Sequence, residues 1–95
     1  MTMEKEFQKA IQIAKKHRVG KLYLVGSALY SGKTPPRDYD FAVADMPSGV
    51  FFKFYGELLL AMSKRVDLID LSGKMTKFKK LVLQEAKLLY DKSAA

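Results

Sequence analysis

The chain has 95 residues, 48% of them hydrophobic, with 17 Lys and Arg against 10 Asp and Glu, a formal net charge of +7. That length suits a single domain, 1–95, with one modest core; without cysteine there are no disulfides or thiolate metal sites, and the lone His17 cannot build a histidine site, so any metal must be held by oxygen. No apolar run approaches the roughly 18 residues of a membrane span, and the start MTMEKEFQKA is charged and amphipathic rather than a signal peptide. The expectation is a cytoplasmic protein with an anionic partner such as a nucleotide, a nucleic acid or an acidic surface.

In chain order, Phe7, Ala10, Ile11 and Ala14 recur at helical spacing and predict a helix over Met3 to His17, with Thr2 as N-cap and Gly20 just past its end. Lys21 to Val25 is a short β-type run ending at Gly26-Ser27; Pro35-Pro36 forbids regular structure before a second strand, Asp38 to Ala44. Ser48 is placed to cap a helix running to about Met62, and Arg65 to Leu71 reads as a third strand, broken by Ser72-Gly73. A last helix is expected from about Thr76 to Asp91, with Phe78, Leu81, Val82, Leu88 and Leu89 as its apolar stripe. Four aromatics among residues 51–55 are too many for the inward face of one helix, and the surplus suggests an interface. The fold class expected is α/β, a small mixed sheet with helices mainly on one face.

Strand geometry makes the acidic residues informative. Side chains two apart share a face, so Asp38 and Asp40 point one way while Tyr39, Phe41 and Val43 point the other. Two close carboxylates repel unless a cation lies between them, and a hard ion such as Mg²⁺ takes carboxylate oxygens together with substrate phosphate oxygens. In RVDLIDL, if Val66 and Leu68 face the core, Asp67 turns to the acidic face; Asp70 falls on the other and is better placed to bond the turn at Ser72-Gly73. Gly26-Ser27 permits close backbone approach and offers amides to phosphate. Lys33 and Arg37 are the cations of the intervening loop, although an isolated loop lysine is more often simply solvated.

Gly26-Ser27, ten intervening residues, Asp38-x-Asp40 and a downstream strand containing Asp67 resemble the minimal nucleotidyltransferases, a branch of the DNA polymerase beta-type nucleotidyltransferases. The resemblance runs from about Lys21 to Tyr90. It implies a polymerase beta-like fold, a nucleotide triphosphate held at Gly26 and Ser27, Mg²⁺ held by Asp38 and Asp40, and Asp67 as a further ligand or base. Two positions depart from the family pattern: Ser31 stands where glycine is usual, and Arg37 where serine is usual. Arg37 has two readings, a phosphate clamp or an ion pair with Asp38.

The resemblance implies a Mg²⁺-dependent enzyme that transfers AMP from ATP to a hydroxyl of a macromolecular acceptor. Minimal nucleotidyltransferases often pair with HEPN-domain proteins in toxin and antitoxin systems, which makes a tyrosine of such a partner the natural acceptor and a homo- or hetero-oligomer the natural assembly. Two alternatives stand beside this reading: a non-catalytic antitoxin that binds a HEPN partner, and a basic nucleic-acid-binding module. Only the charge supports the second, since no helix-turn-helix, zinc or RNP-type signature is present.

Overall fold

The computed structural model describes residues 3–26 and 38–94. Its elements are α1 (Met3–Lys16), β1 (Lys21–Val25), β2 (Asp38–Ala44), α2 (Phe51–Ala61), β3 (Arg65–Asp70), α3 (Lys77–Glu85) and β4 (Lys87–Asp91), followed by a 3₁₀ turn at Lys92–Ala94. The four strands form one mixed sheet in the order β3-β2-β1-β4. β1 is antiparallel to both β2 and β4, whereas β2 and β3 run parallel.

Alternation along the strands divides the sheet into two faces. Leu22, Leu24, Tyr39, Phe41, Val43 and Val66 form the principal core with Ala10 and Ala14 of α1 and Phe54 and Leu58 of α2. Burying a large apolar side chain contributes about 2 kcal/mol, so this face supplies most of the driving force. The opposite face carries a smaller cluster, Val25, Ala42 and Leu71, against which Val82, Leu83 and Ala86 pack. Two helices thus cover one face, and α3 covers part of the other.

α1 places Glu4 and Glu6 in its first turn and Lys15 and Lys16 in its last, matching the helix dipole at both ends. It closes with a pair of reverse bonds, Val19 N–H to Ala14 C=O at 3.0 Å and Arg18 N–H to Lys15 C=O at 3.1 Å. The left-handed residue this motif needs is Arg18, at φ 60°, and not Gly20. Gly20 is required for space instead. A Cβ there would lie 2.5 Å from Asp45 Cβ, so only glycine lets the two segments meet. The expected cap Thr2 lies outside the described residues.

Two expectations need correction. Ser48 does not cap α2; that helix starts from Val50, whose backbone is already helical and whose side chain makes no capping bond, after a turn joining Val50 N–H to Pro47 C=O at 3.4 Å. The last helix starts where expected, with the Thr76 hydroxyl accepting from Lys79 N–H at 3.2 Å, but it ends at Glu85. Ala86 is extended, and Lys87–Asp91 is a strand on the outer edge of β1. Pairing with β1 satisfies a row of backbone groups there, and a bulge opposite Leu22 and Tyr23 lets both Leu89 and Tyr90 pack on the principal core. Tertiary pairing outweighs the helical period.

Candidate active site

The acidic residues are set by backbone register. In the parallel pair of β2 and β3, Asp40 stands opposite Asp67 and Asp38 opposite Arg65; in the antiparallel pair of β1 and β2, Val25 stands opposite Asp40. Paired residues share a face, so Val25, Asp40 and Asp67 form a row across three strands, with Asp38 two residues from Asp40 on the same side. That side is opposite to Tyr39, Phe41 and Val66, all buried beneath α1 and α2. Asp70 is opposite Val43, and its carboxylate accepts from Ser72 N–H at 2.9 Å and from the Ser72 hydroxyl at 2.6 Å. It closes the turn after β3, as its parity suggests.

Gly26 follows Val25 at φ 70°, a left-handed conformation that favours glycine. A Cβ at that position would sit 2.2 Å from Asp40 Oδ2. The missing side chain is therefore what lets the Asp40 carboxylate lie against the backbone that leaves β1. Ser27, Ser31, Lys33 and Arg37 lie outside the described residues.

Among the described residues, no three acidic or histidine side chains converge into a group that would hold a metal by themselves. Asp38, Asp40 and Asp67 share a face, the last two in one row, and their chemistry is that of hard oxygen donors. Such a set fits Mg²⁺, which keeps one or two protein carboxylates and completes its shell with water and substrate phosphate.

Beside Asp40 and Gly26 an open groove of about 410 Å³ runs between the sheet and α3, lined also by Val25, Ile69, Phe78, Leu81, Val82 and Glu85. The sequence places Phe78 and Leu81 in a core stripe, but they remain 61% and 60% exposed on the groove side of α3. Helical periodicity marks that face as apolar without saying whether it meets the core or an opening.

Away from this face, α1, β2 and the segment before β3 are joined by a polar cluster in which Glu6 and Tyr39 are buried. Glu6 is 2% exposed; its carboxylate accepts from the Tyr39 hydroxyl, from Ser63 N–H at 2.7 Å and from the Ser63 hydroxyl at 2.8 Å. Burial alone would raise the Glu6 pKa, but the bonds from Tyr39 and Ser63 outweigh it and hold the carboxyl below its ordinary value. Burial, then the bond to Glu6, pushes the Tyr39 phenol from 10.0 up to about 12. His17 Nε2 lies 2.8 Å from Glu57 Oε1, which Lys16 Nζ also reaches at 2.8 Å.

The mixed sheet thus carries an acidic row on the face away from α1 and α2, with Gly26 folded against Asp40. The family model described as Polymerase beta, Nucleotidyltransferase matches residues 8–95, and the chain belongs to that family. No curated protein matches the chain significantly. Among solved structures, it is similar to a tri-AMPylated Shewanella oneidensis HEPN toxin in complex with its MNT antitoxin, at TM-score 0.71 and 24% identity over 98% of this chain and 76% of that one. A toxin-antitoxin complex with AMP-PNP gives TM-score 0.72 and 24% identity over 93% and 75%. A protein described as a minimal nucleotidyltransferase gives TM-score 0.69 and 20% identity over 90% of each chain. These likenesses establish the polymerase beta-like fold.

Proposed function

We propose that residues 1–95 form a single cytoplasmic nucleotidyltransferase domain that transfers AMP from ATP to a hydroxyl of a macromolecular acceptor, a tyrosine of a HEPN-type partner. The observation that carries this reading is the register pair of Asp40 and Asp67, with Gly26 folded against Asp40, in a chain of this family. The similar structures described as an AMPylated HEPN toxin with its antitoxin and as a complex with AMP-PNP support the choice of acceptor and donor.

Asp38 and Asp40 would hold Mg²⁺, with Asp67 as a further ligand or base, and the ion would supply charge neutralisation of the triphosphate and acidification of the attacking hydroxyl. Gly26 and Ser27 cradle the phosphates, and Lys33 and Arg37 are available to neutralise them. The acceptor oxygen forms a bond to the α-phosphorus as the bond to pyrophosphate breaks; Asp67, across the row from Gly26, takes the hydroxyl proton. Holding the two reactants in line is the larger part of what the chain contributes.

The test is to incubate the chain with α-labelled ATP, Mg²⁺ and a HEPN-domain partner. Label should appear on a partner tyrosine, and neither Asp40→Asn nor wild type in excess chelator should transfer it. Transfer at the wild-type rate in either case would overturn the reading; complex formation without any modification would leave a non-catalytic antitoxin.

A further inference from the structure

We propose that the groove between α3 and the sheet holds the nucleobase of the donor nucleotide, with Phe78 and Leu81 as its apolar wall. The inference rests on the nucleotidyl-transfer reading and extends it to a part of the substrate that the carboxylates do not reach. Two directions in the sheet carry it. Val25, Asp40 and Asp67 form a row across the strands, with Gly26 following Val25. Phosphates near Gly26 and an attacking hydroxyl on the Asp67 side put the line of displacement along that row. The nucleoside hangs from the α-phosphorus off this line, and the direction along the strands is the one that keeps its base against the protein.

Along the strands lies the groove. It begins at Gly26 and Asp40 and extends over Val25 and Ile69 to Phe78, Leu81, Val82 and Glu85 of α3. Ile69 stands opposite Ala42, two residues beyond the pair of Asp40 and Asp67. The groove therefore starts at a carboxylate of the reacting centre and turns apolar within two residues. With a cation between carboxylate and phosphate, that gradient matches a nucleotide, charged at the phosphate and flat and weakly polar at the base. It also accounts for two large side chains left more than half exposed on α3. A base laid against Phe78 gains stacking, which contributes about 1 to 3 kcal/mol wherever a base meets an aromatic ring.

The chain contains no tryptophan, so Phe78→Trp introduces a single reporter at the groove. With Mg²⁺ present, AMP-PNP should quench its fluorescence and inorganic tripolyphosphate should not. By calorimetry, Phe78→Ala should weaken AMP-PNP binding about tenfold, within the span expected for loss of one stacked base, and leave tripolyphosphate binding unchanged. Because Phe78 is exposed, both variants should keep the circular dichroism of wild type. Equal loss of both ligands in Phe78→Ala, or unchanged AMP-PNP affinity, would overturn the groove assignment. If at the same time Asp40→Asn abolished AMP-PNP binding, the nucleotidyl-transfer reading would stand without it. Weakened partner binding with unchanged nucleotide affinity would likewise overturn it and make the groove a docking face. A wild-type chain that bound neither AMP-PNP nor tripolyphosphate would sink both readings.

Discussion

At the scale of single residues, strand register gathers Asp38, Asp40 and Asp67 on one side of the sheet. Asp38→Asn or Asp40→Asn should lower nucleotidyl transfer by more than about 100-fold while leaving the fold intact, because each removes a carboxylate charge from a face that strand register sets. Transfer assays and melting curves on the same preparations would check this. Asp67→Asn should be severely impaired and Asp70→Asn close to wild type in transfer, since Asp70 is engaged with Ser72. Gly26→Ala should lose about 1 to 2 kcal/mol of stability for a non-glycine residue forced to φ 70°, and its Cβ should also displace the Asp40 carboxylate, which urea unfolding and transfer assays would report together. The placement of Asp38, Asp40 and Asp67 on one face was legible because strand parity needs no knowledge of neighbours. The contact of Gly26 with Asp40 was not, because it depends on how β1 and β2 align.

Among the elements, the ends were harder to read than the bodies. β1 and β2 occupy the residues their sequence indicates, whereas α3 stops short and Lys87–Asp91 pairs with β1. A run such as Lys87-Leu88-Leu89-Tyr90 suits either period, and the edge of β1, invisible in the sequence, decides between them. The end of α1 shows a local rule overridden in the same way: Arg18 occupies the left-handed position that glycine fills more cheaply. Arg18→Gly should raise stability by about 0.5 to 1 kcal/mol, a few degrees in melting temperature for a domain of this size. Differential scanning calorimetry would register the shift.

For the whole molecule, the cluster of Glu6, Tyr39 and Ser63 contributes to how stability depends on pH. The Glu6 carboxyl is held below its ordinary value, so its contribution is complete above about pH 4.5 and is lost as pH falls through the folded-state value. The Tyr39 phenol is raised from 10.0 to about 12, so its contribution is complete below pH 10 and is lost as pH rises through 12. Thermal midpoints should therefore be flat between these limits and fall on both sides. Glu6→Gln should cost about 2 kcal/mol, the scale of charge-assisted bonds lost from a buried site, and should flatten the acid limb. No helix among the described residues is long and apolar enough to cross a membrane, and the formal charge of the chain is +7.

The same cluster bears on the order of folding. Its bonds span 33 residues from Glu6 to Tyr39 and 57 from Glu6 to Ser63. Closing such loops costs entropy before any bond repays it, and the cost is met only after nearer contacts have formed. Glu6 should therefore contribute little to the transition state and act as a latch on the native state: in a chevron plot, Glu6→Gln should accelerate unfolding while leaving the refolding limb nearly where it was.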